Sequence, residues 1–503
     1  MISLNDVHHR SHRLSQFWTA IRHAVSIRWL ARSPLFILGL LSLPLYGAVL
    51  LHGDFRPNRI EPFFVIFLGL FILYGLACWV ILKPNSRHSL KTIFFFAVVF
   101  NTILIPSWPS LSDDMFRYIW DGRVQAAGIN PYRYASNARK LADLRDDVIW
   151  PSMNRPKAVT IYPPGAQIVF AATWRVFPDS VLGMKLVMIA STLLAGWLLV
   201  KLLQALHQPP ERVLIFLWSP LLVFEIAHSA HVDALYLPLI VGAFLVRARS
   251  PSTHANWRYE VGIGVLLGLA TLIKLYPAML AIPLWSLHDK TGQRRWRLSL
   301  PIALVLTVLA GYVLYSQPGV NVLGFLSKYG REWTNISPLM RWLIDLAQAH
   351  GIQWYIPGTR GMPAIIAILS LWMIIRPAHT ARQAILRCFW PMSVYMLINH
   401  NLLPWYALWL LPLIALDLFV PRQPRLNAAL AWWVFTCTVS LAYITFMRWQ
   451  EQQWDLALQF WPLYILLCAA AVTRIRLWRS RPQFTVPSDD ELQSEHEPSA
   501  LQS

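Results

Sequence analysis

Long apolar runs recur along almost the whole chain, and they constrain its fold more than any other feature. Runs of about 18 residues, long enough to cross a hydrocarbon core about 30 Å thick, appear from Leu35 to Ala471. Only 14% of the residues are charged and 56% are hydrophobic, whereas about a quarter of the residues of a soluble protein are charged. The runs are continuous rather than alternating, which argues against a membrane β-barrel. The sequence therefore predicts an all-α polytopic membrane protein.

The net charge of +19 is explained by topology rather than by nucleic-acid binding. Lys and Arg cluster in short loops between the apolar runs, and such loops face the cytoplasm. The four cysteines lie in or beside apolar runs, where buried thiols are expected rather than disulfides or metal ligands. We therefore expect a lipid bilayer as the surroundings of this chain and no nucleic-acid partner.

The distribution of basic residues predicts the domain organisation. A basic cytoplasmic arm (1–33) precedes an uncleaved first span, the membrane domain covers 34–475, and a polar, disordered cytoplasmic tail covers 476–503. Two loops (109–163 and 317–360) face outside. We predict about 12 spans and a short re-entrant segment at 164–177, because that run is short and contains Arg175. A hairpin over 260–287 is broken at Lys274–Pro277. The predicted spans lie near 34–51, 62–82, 91–108, 181–204, 212–228, 231–247, 298–316, 362–376, 385–401, 404–420, 427–447 and 457–475.

Acidic and basic residues gather at 112–123, at the start of the first outer loop. If this stretch is helical, four of its residues share one face. They are Asp114, Arg117, Tyr118 and Asp121. Asp113 and Asp114 have two interpretations that the residues leave open. One is a helix cap, since Ser-Asp-Asp is a good helix start; the other is a general base beside a membrane-embedded substrate.

Three further polar clusters reach the same outer side on this topology: His228–Asp233, the hairpin break at Lys274 and Asn399–Tyr406. His228, His231 and Asp233 have metal-ligand residue types, but a third ligand is not evident, so contacts to a substrate hydroxyl or phosphate are favoured over a zinc site. Lys274 is costly in a membrane interior, and a lipid phosphate is its natural partner.

The remaining candidates are aromatic or lie beside aromatic residues. Tyr162 precedes two prolines, and its ring is placed to stack on a sugar unless the segment serves only as a turn. His400 lies between two asparagines, and Trp405 and Tyr406 follow Pro404. These two rings are candidates either for substrate contact or for an interfacial aromatic belt.

These clusters resemble the GT-C type glycosyltransferases, and most of all the bacterial polyprenyl-phosphate-mannose-dependent mannosyltransferases (a family 87-like group). The resemblance covers roughly 90–475 and rests on four features in order. They are the acidic start of the first outer loop with Gly128–Tyr132 after it, the Tyr162-Pro-Pro segment, the His231-Val-Asp233 segment and the Pro404-Trp-Tyr406 segment. The chain departs from the family in two additional spans before that loop and in lacking a large C-terminal soluble domain.

The resemblance implies a GT-C type helical bundle whose long first outer loop carries the catalytic acid. It implies inverting transfer of a hexose, mannose favoured, from a polyprenyl-phosphate sugar to a glycolipid or glycan acceptor. Asp114 matches the family acid best and Asp113 second. The phosphate leaving group needs cations rather than a general acid, so Lys274 and Arg117 are expected there, and a divalent metal is not required. The site would face the exterior of the bacterial cytoplasmic membrane.

Two other function classes share some of these features. A lipid-linked sugar flippase would also place ionisable groups within the membrane, but it favours inverted repeats, and we find none in the sequence. An O-antigen ligase or polymerase relies on Arg and His in a large later loop, whereas the charged residues here concentrate in the earlier loop. Aminoarabinose transfer and protein O-mannosylation remain alternatives within the same fold.

Overall fold

The structure is a computed structural model, and it describes most of the membrane domain. The described residues are 33–55, 60–83, 88–250, 256–285, 298–326, 328, 338–353, 356, 360–399, 402–420, 426–447 and 458–479. The predicted N-terminal arm lies outside these residues apart from Ser33, and so does the predicted tail beyond Arg479.

The described part of the chain is helical and contains no β-strand element. The first group of helices is α1 (Pro34–His52), α2 (Glu61–Ile81), α3 (Leu90–Leu104), α4 (Asp114–Ala126), α5 (Ile149–Ser152), α6 (Pro164–Val176) and α7 (Val181–Ala205). The second is α8 (Leu214–Leu217), α9 (Pro220–Val223), α10 (Asp233–Arg249), α11 (Trp257–Thr271), α12 (Ala281–Trp285) and α13 (Ser299–Tyr315). The third is α14 (Pro338–Ala349), α15 (Met362–Ile375), α16 (Ala381–Arg387), α17 (Phe389–Ile398), α18 (Leu411–Asp417), α19 (Ala428–Thr438), α20 (Ala442–Met447) and α21 (Trp461–Arg479). Short 3₁₀ helices at Arg139–Leu144, Pro210–Val213, Tyr276–Leu280, Pro404–Leu410 and Val439–Leu441 and a π-helix at Phe224–His228 join them.

Within the described part of the chain, three helices are long and apolar enough to cross a membrane: α1, α2 and α7. Six further apolar segments within the described residues are shorter, at 10–17 residues each. The predicted number of about 12 spans therefore stays a prediction, while an all-helical architecture is observed for the described residues.

The predicted span at 212–228 is not one continuous helix. It divides into a 3₁₀ helix, α8, α9 and the π-helix. The break before α9 has a local cause, because Pro220 disfavours helical backbone at the preceding residue, and Ser219 is accordingly extended with ψ of 119°. The predicted span at 385–401 is likewise divided between α16 and α17.

The break predicted near Lys274 is present, and the segment predicted to be short is a short helix. The segment 260–287 breaks after α11 and resumes as a 3₁₀ helix at Tyr276, so Lys274 lies in the break. The helix α6 has 13 residues and is thus about 20 Å long, which is too short to cross the hydrocarbon core.

Helix α10 is the centre of the bundle. It packs against α7 on one side and α11 on the other, and most of its residues are buried. Its N-terminal residue is Asp233, and near its C-terminal end Arg247 donates to Glu260 of α11 at 2.6 Å. Because Arg247 follows Asp233 by 14 residues, α10 separates these two charged clusters by about 21 Å.

Close packing of α4 on α6 positions the acidic stretch. A Cβ at Gly122 would lie 2.7 Å from the carbonyl oxygen of Phe170, so only glycine permits this approach. Four residues before Gly122, the Tyr118 ring stacks on Phe170 with centroids 4.6 Å apart and an interplanar angle of 8°. The two helices therefore form one rigid support, and Asp114 lies at the start of α4.

Candidate active site

Residues from distant parts of the chain line one cavity of about 380 Å³. The start of α4, the segment Asn154–Pro163, the N-terminus of α10, the α11 break and the segment after α17 all contribute to its wall. The lining includes the predicted residues Asp113, Asp114, Arg117, Tyr162, Asp233, Lys274, Trp405 and Tyr406.

A carboxylate pair lies at one end of the cavity. The amide nitrogen of Asn154 donates to Asp113 Oδ1 at 2.8 Å and to Asp114 Oδ1 at 2.7 Å. Asp113 occupies the N-cap position of α4 but makes no capping hydrogen bond with its side chain. Instead, Ser112 Oγ accepts from the backbone N–H of Asp114. Because a neighbouring serine makes this local contact, the predicted capping role of Asp113 is not observed, and both carboxylates face the cavity.

A histidine and a second carboxylate stand behind Asp114. His231 Nδ1 lies 3.8 Å from Asp114 Oδ2, and His231 Nε2 lies 3.2 Å from Glu225 Oε2. The imidazole is fully buried and stacks on Trp405, with centroids 3.8 Å apart. Asp114 is the exposed member of this group, with 22% of its side chain accessible.

A lysine held by a buried aspartate lies at another part of the cavity wall. Lys274 Nζ contacts both oxygens of Asp233, at 3.0 and 2.9 Å. Asp233 also accepts from Tyr236 at 2.6 Å and from Trp409 Nε1 at 2.9 Å. The ammonium group lies 4.3 Å from the ring centroid of Tyr406, within the range of a cation–π contact. Lys274 therefore presents its charge to the cavity from a fixed position.

Arg117 and Asp121 form an anchored pair. Arg117 Nε donates to Asp121 Oδ1 at 2.9 Å, and its NH1 donates to the carbonyl of Ala158 at 3.2 Å. The other oxygen of Asp121 accepts from Thr160 at 2.5 Å and from Gln167 at 2.8 Å. Asp121 is thus buried and fully engaged, and it is not among the residues that line the cavity. Asp121 thus braces the loop segment at Thr160, and its predicted substrate contact stays a prediction.

Tyr162 and Tyr118, both predicted to bind substrate, occupy different positions relative to the cavity. Tyr162 lines the cavity, and its carbonyl accepts from the Tyr132 hydroxyl at 2.7 Å. Tyr118 is buried behind it, edge-on to the Tyr162 ring at 4.9 Å, and its hydroxyl accepts from the backbone N–H of Val232. Tyr118 therefore connects α4 to the start of α10 rather than facing the cavity.

His228 is placed away from the cavity lining. Its Nδ1 is 2.8 Å from Ser107 Oγ, and its Nε2 is within hydrogen-bond distance of the backbone N–H and hydroxyl of Ser110. It therefore supports the turn that leads to the acidic stretch. The predicted contact of His400 with substrate lies outside the described residues.

Ion pairs of Arg123 fix the far end of α4 to the loop that follows it. The Arg123 guanidinium contacts Asp146 at 3.0 Å and Asp179 at 2.8 Å. Partial burial would raise the pKa of Asp146. The hydrogen bonds from Arg123 and from the backbone N–H groups of Trp150 and Ile149 outweigh that effect, however, and hold its pKa well below the usual range.

Three polar residues near the candidate site were not predicted from the sequence. Asn154 follows no motif, and only the fold brings it to the two carboxylates. Glu225 did carry a signal, because an acid within an apolar run is a candidate functional residue. Lys185 carried the same signal, but it is a structural residue: its fully buried ammonium donates to the carbonyls of Leu104, Ile105 and Ser107 at the end of α3.

Among the described residues, no group of three or more His, Cys, Asp or Glu side chains is arranged to hold a metal ion. Asp113 and Asp114 are the carboxylates that would face a cation in the cavity.

The family comparison decides the class of the protein. Residues 50–288 match the family model of the alpha-(1->6)-mannopyranosyltransferase N-terminal domain (the MptA_B family). The matched segment is slightly less than half of the chain, and it contains the carboxylate pair, His231, Asp233 and Lys274. This chain is a glycosyltransferase.

Two other comparisons complete the description of the glycosyltransferase. No protein of curated function matches it in sequence. The crystal structure of ArnT from Cupriavidus metallidurans bound to undecaprenyl phosphate aligns with a TM-score of 0.42 at 15% identity. That alignment covers 78% of this chain and 73% of the ArnT chain.

Proposed function

We propose that the glycosyltransferase moves a hexose, mannose favoured, from a polyprenyl-phosphate sugar to a hydroxyl of a glycolipid or glycan acceptor, with inversion at the anomeric carbon. One observation carries the proposal. A carboxylate pair and a fixed lysine face the same cavity, as transfer from a lipid-phosphate donor requires. The mannosyltransferase family of residues 50–288 favours mannose as the transferred sugar.

Asp114 is the proposed general base. It is partly accessible, and its contacts among the described residues are with the neutral amide of Asn154 and the buried His231 rather than with a lysine or arginine. A carboxylate in this state can accept the proton of an acceptor hydroxyl as that oxygen attacks the sugar. Asp113 shares the Asn154 amide and is the proposed second choice for this role.

Lys274 and Arg117 are the proposed partners of the donor phosphate. The leaving group is a phosphate monoester, which departs as a stable anion and needs positive charge rather than a proton. Lys274 is the more accessible of the two cations, with 21% of its side chain exposed, and Asp233 holds its ammonium in place. The reaction itself requires no metal, and any divalent cation would meet the carboxylates of Asp113 and Asp114.

Aromatic rings are proposed to bind the sugar. Trp405, Tyr406 and Tyr162 line the cavity, and the Trp405 ring lies nearly edge-on to that of Tyr406, at an angle of 85°. Rings with different orientations can contact different faces of a hexose. His231 is proposed to act on the base rather than on the sugar, because Trp405 covers its ring.

The cavity is proposed to face the exterior of the bacterial cytoplasmic membrane. It lies at the N-terminus of α10, and the arginines Arg247 and Arg249 lie at the opposite end. Basic residues favour the cytoplasmic side, so the cavity end of α10 would point outward.

The decisive experiment incubates the purified protein with synthetic polyprenyl-phosphate mannose, glucose or arabinose and follows donor consumption in the presence of a glycolipid extract. Consumption of one donor with a new glycolipid product supports the proposal, and the mannose donor is expected to react fastest. If no lipid-monophosphate sugar is consumed, the proposed function is wrong. If the donor only crosses reconstituted vesicles without sugar transfer, the protein is a flippase instead.

A further inference from the structure

Glu225 is a buried acid that the proposed reaction does not yet use. Only 1% of its side chain is exposed, and it lies on the π-helix Phe224–His228. Its Oε1 accepts from the Tyr443 hydroxyl at 2.7 Å, and its Oε2 lies 3.2 Å from His231 Nε2. Leaving a carboxylate buried costs several kcal/mol unless charged or hydrogen-bonding groups surround it, so this arrangement requires a partner.

His231 is the natural partner of Glu225, and it also faces Asp114. Its two ring nitrogens point to different carboxylates, Nε2 to Glu225 and Nδ1 to Asp114. Neither nitrogen has a hydrogen bond of good geometry in the described structure, and neither does Glu225 Oε2. The ring is therefore placed for two contacts that a small rotation would tighten.

The backbone fixes this orientation. The N–H of His231 donates to the carbonyl of Glu225 at 3.0 Å, which closes the turn after the π-helix. Ala230, directly before His231, has a positive φ of 53°, a conformation that non-glycine residues adopt only where the surrounding structure enforces it. Single π-helical turns are frequently found at functional sites. The local backbone thus aims the imidazole at Asp114.

We propose that Glu225 is a positioning residue that acts on the general base Asp114 through His231. This inference rests on the proposed function, in which Asp114 takes the acceptor proton. The Glu225 carboxylate accepts a hydrogen bond from the Nε2–H group of His231. This keeps the proton on Nε2 and leaves the Nδ1 lone pair facing Asp114. The partner of a histidine's other ring nitrogen selects the tautomer in this way.

The proton is conserved along this route. The acceptor hydroxyl gives its proton to the Asp114 carboxylate as its oxygen bonds to the anomeric carbon and the sugar–phosphate bond breaks. The protonated Asp114 then donates that proton to His231 Nδ1, which forms an imidazolium ion between two carboxylates. Glu225 stabilises this ion, and Asp114 returns to the ionised form for the next turnover. After product release the proton returns from the buried His231 to Asp114, the accessible member of the group, and leaves from there to water.

The test is a double-mutant cycle between Glu225→Gln and His231→Gln. Glu225→Gln keeps the size of the side chain and an oxygen for Tyr443 but removes the charge. We expect its kcat to fall about 10- to 100-fold, at the lower end of general acid–base contributions, while the donor KM changes less than about 2-fold. In the His231→Gln background, Glu225→Gln should cost less than about 2-fold more, because residues that act as a unit are not additive.

Glu260→Gln is the matched control. Glu260 is also a buried glutamate, paired with Arg247 at the opposite end of α10. Its substitution should change kcat by the same factor, close to one, in both backgrounds. Tyr443→Phe removes the hydroxyl from Glu225 but keeps its charge, and its kcat is expected to fall less than that of Glu225→Gln.

The outcomes separate this inference from the proposed function. If the wild type consumes no lipid-monophosphate sugar, the proposed function fails whatever Glu225→Gln does. If Asp114→Asn retains full sugar transfer, sugar transfer itself stands, but Asp114 is not the base and the role of Glu225 through His231 is overturned. If Asp114→Asn abolishes transfer while Glu225→Gln matches the wild type, only the role of Glu225 is overturned. If Glu225→Gln lowers kcat equally in both His231 backgrounds, Glu225 has a merely structural role. The same conclusion follows if the variant mainly raises the donor KM or lowers the thermal midpoint.

Discussion

Asp114 and Asp233 begin two helices of the same bundle and line the same cavity, yet their surroundings are opposite. Both gain from the positive end of the helix dipole. Asp233 is fully buried and receives hydrogen bonds from a lysine, a tyrosine and a tryptophan. Asp114 is partly accessible and receives the neutral amide of Asn154.

This difference in surroundings indicates different roles for the two aspartates. Asp233 already accepts three hydrogen bonds at Oδ1 and one from Lys274 at Oδ2, so a proton bound there would compete with existing contacts. Its charge instead fixes the position of Lys274. Asp114 keeps accessible lone pairs beside the cavity, and a base needs such an oxygen. Residue type alone therefore does not distinguish the two aspartates. The number and charge of the hydrogen-bond donors around each carboxylate indicate which one can act as the base.

The largest expected effect is that of Asp114→Asn. The substitution preserves shape and the contact with Asn154 but removes the ability to take a proton, so sugar transfer should fall by about 10³-fold or more. Donor binding should remain within about 2-fold of the wild type, because the phosphate contacts are elsewhere. Transfer rates and equilibrium binding of a radiolabelled lipid-phosphate sugar measure both quantities.

Asp113→Asn is the matched comparison for that prediction. It shares the Asn154 amide, whereas the 3.8 Å contact with His231 is made by Asp114. We expect a much smaller loss of transfer than with Asp114→Asn. If Asp113→Asn lowers sugar transfer more than Asp114→Asn does, Asp113 is the base. The comparison with Asp233 then applies to Asp113 instead of Asp114.

Lys274→Met should produce the next largest effect. Without the ammonium group, charge developing on the leaving phosphate loses a fixed partner, and kcat/KM for the donor should fall about 10²-fold. Lys274→Arg keeps the charge and should recover part of the loss. Steady-state kinetics with varied donor concentration measure the change, and equal activity of the Met variant would remove Lys274 from the phosphate site.

The free-energy cost of a charged side chain within an apolar run identifies Lys274 in the sequence, although the sequence does not show what Lys274 contacts. The predicted break beside it is observed between α11 and the following 3₁₀ helix. The pairing of Lys274 with Asp233 was not predicted, since 41 residues separate the two in the chain and only packing of α11 against α10 joins them.

A sequence pattern does not reveal which polar residues stabilise the fold. His228 and Asp121 have the residue types of a binding site, and in the structure the first supports a turn and the second braces the loop at Thr160. A helical face groups residues by direction without revealing what covers that face. Tyr118 and Asp121 lie on the predicted stripe with Asp114, but α6 and the outer loop cover them.

Asp233→Asn tests the other half of the comparison, and its expected effect is mainly on stability. An amide nitrogen would face the Tyr236, Trp409 or Lys274 donors, and a buried donor without an acceptor costs about 1–3 kcal/mol. The thermal midpoint of the detergent-solubilised variant should therefore fall, whereas that of Asp114→Asn should stay near the wild-type value. An unchanged midpoint for Asp233→Asn would show that the buried cluster is looser than its distances indicate.

The smallest effect concerns a third aspartate, Asp146, which is partly exposed yet tied to Arg123 in the outer loop. Because folding lowers the pKa of Asp146, its contribution to stability is present above its unfolded value of 3.8 and is lost as the pH falls below that value. Asp146→Asn should therefore lower the thermal midpoint at pH 7, and the difference from the wild type should shrink as the pH falls below 3.8. A difference that stays constant between these pH values would mean that shape, not charge, holds the loop. Asp146 would then resemble neither the neutralised Asp233 nor the accessible Asp114, since exposure would have made its ion pair too weak to matter.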